Sequence, residues 1–182
     1  MMALSAAGPA SVAALPLAPL GPSGGPSSAP TKLRGLRVEE IKDLLAEGIG
    51  GDQYFVTGRL NTAIFDDDCR FVDPTNDVTG LGRYLTALGL LFDPQYSKVV
   101  LRKISITGPS TIEADYTSGG YLRQENFPWR PYVAPYDGHV TYTLGPTGLV
   151  VVQAQAWSIS PLFALRETFT PTSGPHQELK FD

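Results

Sequence analysis

The chain has 182 residues, 42% of them hydrophobic and only 18% charged, with a net charge of −4. That length suits one domain with a tail and excludes a multidomain machine. The negative balance offers no basic field for a phosphate backbone, so nucleic acid is not expected as a partner.

One cysteine, Cys69, cannot close an internal disulfide, and two histidines, His139 and His176, supply no Cys/His set for a structural metal. Cofactor signatures are equally absent from the sequence: it holds no phosphate loop, dinucleotide fingerprint, nucleophile elbow or His-Glu-x-x-His. Neither a metal nor a cofactor is therefore expected.

Residues 1–31 are built from Ala, Pro, Ser and Gly at 23 of 31 positions and carry no charge. Such a stretch cannot bury enough side chain to offset its ordering entropy, and six prolines forbid a continuous helix. It is expected to be a disordered tail. Its apolar run, Val12 to Leu20, is broken by Pro16 and Pro19, and no other stretch reaches the length of a membrane span, so a soluble protein is expected.

From Lys32 the chain reads as folded, with one domain over 32–171 and a polar tail over 172–182. Leu36 to Glu47 places Val38, Ile41, Leu44 and Leu45 at helical spacing, and Gly48-Ile-Gly-Gly51 is expected to end that helix. A short helical stretch follows through Tyr54, Phe55, Leu60 and Ile64-Phe65. Asp66-Asp67-Asp68 then reads as a solvated loop, and Cys69 to Val72 as a short strand stopped by Asp73-Pro74. Thr79 is the expected cap of a second helix, Gly80 to Phe92, with Leu81, Leu85, Leu88 and Phe92 on one stripe.

Beyond Gln95 the period becomes alternating. Val99 to Ile106 and Thr111 to Thr117 flank Gly108-Pro109-Ser110 as one hairpin, with Ile112, Ala114 and Tyr116 on one face. Tyr132 to Leu144 and Leu149 to Ile159 form a second pair around Gly145-Pro-Thr-Gly148. Helices followed by strands indicate an α+β architecture, helices packed on one face of a curved, mainly antiparallel sheet.

This order, together with Tyr54-Phe-Val-Thr-Gly58, Ile64 to Thr75, Pro128-Trp-Arg-Pro-Tyr132, Gly138-His-Val-Thr-Tyr142 and Trp157-Ser-Ile-Ser160, resembles the cone-shaped superfamily of nuclear transport factor two, ketosteroid isomerase and SnoaL-type polyketide cyclases. Within it the phrases are similar to an uncharacterised SnoaL-like family of plants, algae and cyanobacteria, over residues 36–171. The resemblance implies a tapered cavity as the ligand site. It also implies a chloroplast location, with residues 1–31 as the transit peptide.

By alternation, the residues expected to line the cavity are Tyr116, Trp129, Tyr132, Tyr142, Gln153, Gln155 and Trp157, a set suited to a small apolar or amphipathic ligand. Ordinary core filling by the same rings is the competing reading. Catalysis, if present, falls to Asp73 as general base. Tyr54, Tyr84 or Tyr142 would stabilise an oxyanion, with Asp115 or Asp137 as a second acid. Against that, Asp-Pro is ordinary turn chemistry.

His139 alternates with Val140 and Tyr142 and should face outward; a surface histidine, a base and a haem ligand are its three readings. Cys69 reads as a buried thiol and His176 as part of an uninvolved tail. Three functions follow: a binding domain for a small ligand or partner protein without catalysis, an isomerase or cyclase, and a dimeric scaffold using outward positions such as Thr141 and Thr143.

Overall fold

The computed structural model describes residues 31–181; the expected N-terminal tail lies almost wholly outside them. Helix α1 (Val38–Gly50) buries Ile41, Leu45 and Ile49, with Val38 and Leu44 packed beside them. It starts where the Glu40 carboxylate accepts the Arg37 backbone N–H at 2.8 Å, satisfying a donor that the helix itself cannot. It does not stop at Gly48. The helix continues because Gly48 is buried beside the Tyr54 ring and Ile49 gains a fully buried site.

After α2 (Tyr54–Thr57) and a 3₁₀ turn at Thr62–Ile64, strand β1 runs Phe65–Val72 and the short β2 runs Asp77–Thr79. The three aspartates expected in a loop lie within β1. Phe65 faces Val150 and Arg70 faces Val152, so the chain bulges between them. The bulge turns the carboxylates outward, where Lys32 pairs with Asp67 at 2.7 Å while donating to the carbonyls of Thr62 and Phe65.

Helix α3 (Leu81–Leu91) buries Leu81, Tyr84 and Leu88. Its cap is Gly80, in a positive-φ conformation, rather than Thr79, which belongs to β2. Phe92 leaves the helical stripe to open β3.

The remaining strands are β3 (Phe92–Gly108), β4 (Thr111–Leu122), β5 (Tyr132–Leu144) and β6 (Val150–Trp157), followed by a helix that was not anticipated, α4 (Pro161–Phe169). Together they form one six-stranded sheet in the order β2-β1-β6-β5-β4-β3. Every neighbouring pair is antiparallel except β1 with β6, which is parallel.

The sheet bends through bulges. Arg102 is the extra residue where Leu101 faces Tyr116 and Lys103 faces Asp115, and the register of β4 with β5 slips between Ser118 and Gly120. At the second bend Gly120 has φ +141°, and a Cβ there would lie 2.4 Å from Ser97 Cα, so β3 and β4 approach as only glycine allows. The helices cover the inner face, where Ile112, Ala114, Tyr116, Val140 and Tyr142 are buried.

The C-terminal segment lies against the opposite face. The His176 ring stacks on Tyr96 with centroids 3.5 Å apart and meets Tyr121 edge-on at 4.6 Å, while the Gln177 N–H donates to the Tyr121 hydroxyl at 2.9 Å. That docking helps leave Tyr121 only 2% exposed although it lies outside the main core. The polar tail is thus held by an aromatic clamp that includes His176.

Candidate functional site

Inside the cone, alternation along β5 and β6, one turn of α2 and the buried face of α3 bring four polar side chains into a single chain of hydrogen bonds. The Tyr54 hydroxyl donates to Gln153 Oε1 at 3.0 Å and lies 2.5 Å from the Tyr142 hydroxyl. Gln153 Nε2 donates to the Tyr84 hydroxyl at 2.8 Å. Because Tyr54 spends its one proton on Gln153, Tyr142 must donate to Tyr54, and the direction of the whole array follows: Tyr142, Tyr54, Gln153, Tyr84. The proton of Tyr84 ends it, with no acceptor for it among the described residues.

Burial pushes the phenols of Tyr54, Tyr84, Tyr116, Tyr136 and Tyr142 well above their ordinary range, since a phenolate would lose its water. Neighbouring phenols add to the effect at Tyr54, Tyr84 and Tyr116. All five are therefore neutral phenols, and the single protons of Tyr54, Tyr142 and Tyr116 are already committed to partners inside the protein.

Tyr116 belongs to a second set. Its hydroxyl donates to Gln155 Oε1 at 2.7 Å, which also accepts the Trp157 indole N–H at 3.4 Å. Its ring lies tilted on Phe55 at 4.7 Å. The space for that ring comes from Gly138 directly across the strand, where a Cβ would stand 2.2 Å from Tyr116 Cζ.

Beside this set, where β4, β5 and the end of β6 run together, a groove of about 550 Å³ opens. Its lining includes Tyr116, Gly138, Trp157 and Ala156, with Arg102, Asp115, Asp137, His139 and Ser158 as the polar part. His139 faces outward, and its Nδ1 is 2.7 Å from Asp115 Oδ1. That contact fixes the ring and leaves Nε2 as the other polar atom. Asp137 accepts from Thr117 at 2.8 Å, and Thr117 in turn accepts from Arg102 Nε at 2.9 Å. Asp115 and Asp137 thus stand on the outer face, and neither joins the buried tyrosines as a second acid.

The residues expected to line one cavity divide among three places. Tyr142 and Gln153 are fully enclosed in the tyrosine array. Tyr116, Gln155 and Trp157 form the neighbouring set, of which Tyr116 and Trp157 reach the groove. Trp129 and Tyr132 lie elsewhere: Trp129 donates its indole N–H to the Thr168 carbonyl at 2.7 Å, and Tyr132 packs on Tyr121 at 4.9 Å.

Asp73 is tied into its own turn. Its Oδ1 accepts the Thr75 N–H and hydroxyl, each at 2.7 Å, and the Asn76 N–H at 2.8 Å, while Oδ2 accepts Asn76 Nδ2 at 3.2 Å. Its charge still reaches Tyr84 and Tyr136, where it adds to the burial that disfavours a phenolate.

Sequence reasoning missed Gly138, Tyr136 and Arg102. Gly138 had a signal, a glycine in mid-strand opposite a large ring. Arg102 had none, because its place depends on a bulge. Among the described residues no group of three or more acidic, histidine or cysteine side chains could hold a metal ion, and no helix is long and apolar enough to cross a membrane.

Among solved structures, the chain is similar to a candidate SnoaL-like polyketide cyclase from Jannaschia sp. CCS1, with 13% identity, 75% of this chain and 96% of that one covered, and a TM-score of 0.52. The epoxide hydrolase/cyclase-like enzyme SalBIII of salinomycin pyran-ring formation gives 13% identity, coverages of 68% and 95%, and a TM-score of 0.51. AclR, a candidate hydroxylase from Streptomyces galilaeus, gives 16% identity, coverages of 73% and 98%, and a TM-score of 0.50. At such identities the likeness is one of fold, the curved-sheet α+β cone of the SnoaL-like and nuclear-transport-factor-two-like proteins. No curated protein matches. The model of one family, described as "Uncharacterized conserved protein (DUF2358)", matches residues 52–153, from the end of α1 to the Gln153 that links the buried tyrosines, and the chain belongs to that family.

Proposed function

We propose that this protein binds a small amphipathic molecule in the groove beside Tyr116, its apolar part over Gly138, Ala156 and Trp157 and its polar part toward His139 and Arg102. The observation that carries this is the groove itself. Its volume of about 550 Å³ falls in the range of small-molecule sites, and aromatic and titratable side chains converge on it. The cone interior supports a supporting role instead: Tyr54, Tyr116, Tyr142 and Gln153 fill it and are at most 1% exposed.

Binding without conversion is favoured by the state of Asp73, whose two carboxylate oxygens are engaged by its own turn. The solved structures of this fold that are named for cyclase or hydroxylase activity carry no such residue over to this chain at their level of identity. A plastid location is part of the same reading and rests on the charge-free composition of residues 1–31 and on the resemblance. Fusing those residues to a fluorescent protein and finding it outside the plastid removes that part.

The test of binding is a fluorescence titration with anilinonaphthalene sulfonate, an amphipathic probe. Saturable 1:1 enhancement that is lost in both Trp157→Ala and His139→Ala is the expected result. Enhancement that never saturates, or that both variants leave unchanged, removes the proposal.

A further inference from the structure

Helix α4 is turned the wrong way round for a helix that merely packs on a sheet. At about 100° per residue, Leu165, Phe169, Leu162 and Arg166 fall in that angular order on one arc. Leu162, Leu165 and Phe169 are exposed by 76%, 47% and 65%. The Trp129 ring meets that arc at Phe169, yet all three side chains stay exposed, and α4 has no buried residue of its own.

The single acid of the helix, Glu167, lies on the opposite side. It is half-buried, with one carboxylate oxygen enclosed, and burial raises its pKa. The solvent face of α4 therefore shows three large apolar side chains and one cation, with no anion among them.

The arc is held rigidly and continues beyond the helix. Ser160 caps α4 by accepting the Phe163 N–H at 3.2 Å, and Pro161 presets its first turn. The Trp129 indole stacks on Phe169 at 6.3 Å and is anchored through its N–H to the Thr168 carbonyl. Phe127 meets Trp129 edge-on at 5.7 Å, and the loop carrying both is bonded through Arg123 and Asn126 to the end of α3, where Leu90 and Leu91 are exposed by 43% and 36%. The arginines of that loop do not add to the face: the Nε of Arg123 and of Arg130 is enclosed, and Arg130 lies over the Tyr121 ring and donates to the Gly174 carbonyl at 3.1 Å.

A face of Leu, Phe and Trp with the exposed Arg166 at its edge and no acid on it, in a chain of net charge −4, matches one surface in both polarity and charge: the interfacial zone of an anionic bilayer. We infer that the outer face of α4, with Trp129 beside it, seats this protein on the surface of an anionic lipid membrane. The contact is peripheral, with Leu162, Leu165 and Phe169 entering the acyl boundary and Arg166 at the headgroups. It rests on α4 and not on the groove, so it stands or falls independently of the ligand proposal.

The experiment is flotation of the full chain with vesicles of phosphatidylcholine alone and of phosphatidylcholine with phosphatidylglycerol, repeated for Leu162→Ser/Phe169→Ser and for Arg166→Glu. The double variant alters largely exposed side chains; because Phe169 also stacks on Trp129, its unfolding midpoint is measured alongside, and Arg166→Glu, which leaves that stack intact, reads the contact independently. The expected result is recovery with the anionic vesicles only, reduced about tenfold or more in either variant and weakened by salt. No recovery with anionic vesicles overturns the inference. So does recovery that both variants leave intact, which would place the contact elsewhere on the chain. A concentration-dependent dimer in sedimentation that the double variant abolishes also overturns it, because a second copy would then cover the face.

Discussion

Replacing Gly138 by alanine tests the packing that shapes the groove. The added Cβ would stand 2.2 Å from Tyr116 Cζ, 2.5 Å from its hydroxyl oxygen and 2.6 Å from Cε2. To restore a contact of roughly 3.5 Å the ring must withdraw by about 1 Å, and the rigid β4–β5 pairing leaves it to the ring to move. Withdrawal breaks the 2.7 Å bond to Gln155 and disturbs the stack on Phe55.

Overpacking of this kind costs about 1–3 kcal/mol. The lost buried hydrogen bond adds about 1 kcal/mol, and the loss of glycine's unfolded-state freedom returns about 0.5–1 kcal/mol. A net destabilisation of about 1–3.5 kcal/mol is expected, read by urea denaturation followed by circular dichroism. Tyr116→Ala alone should cost about 3–5 kcal/mol through the void it leaves. In the double variant the new methyl occupies part of that void, so the combined loss should fall short of the sum by at least about 1 kcal/mol. A loss below about 0.5 kcal/mol for Gly138→Ala, or strict additivity in the cycle, would refute the argument.

Tyr54→Phe removes the donor to Gln153 and the acceptor for Tyr142 together, and should destabilise by about 2–3 kcal/mol in the same assay, more than an ordinary buried hydrogen bond. Asp73→Asn keeps the turn's shape but loses the charge of its acceptor; a loss of about 1–2 kcal/mol, unchanged when Tyr84 is also Phe, would identify the residue as a turn brace. The Cys69 thiol is fully buried, and burial pushes its pKa up to about 12, so at pH 8 it should resist iodoacetamide until the protein unfolds, with labelling that follows denaturant. His176→Ala should free the C-terminal segment from Tyr96 and Tyr121, seen as faster trypsin cleavage at Lys180 with an unchanged global midpoint.

Local pattern carried the parts of this fold whose partners are near in sequence. The stripe of Ile41 and Leu45, the stripe of Leu81 and Leu88, and both hairpins are written as 3.6- and 2-residue periods, and the alternation that put Ile112, Ala114 and Tyr116 on one face survives as burial. What was hidden depends on distant pairing. Strand β2 has three residues and exists because β1 offers it an edge; Asp66 to Asp68 become strand because β6 runs beside them.

Helix α4 was obscured by its inverted face, which reads as scattered apolar residues when a buried stripe is sought. At the site, Tyr142, Gln153, Gln155 and Trp157 could be placed on one face from alternation alone. Their division into a closed array and a groove turns on Gly138 and on a bulge, which no period encodes.

The parallel pairing of β1 with β6 also constrains the order in which the chain can assemble. Residues 65–72 and 150–157 must meet across nearly the whole domain, and β2 is fastened to the sheet only through β1. During synthesis the β3–β4–β5 meander can form as it emerges. The N-terminal strands, however, must wait until β6 clears the ribosome, with Phe65 and Phe71 lacking their final neighbours meanwhile. Early termination between Leu144 and Val150 would therefore leave a meander with an unsealed edge at β5, the form of this chain most prone to pair with another copy.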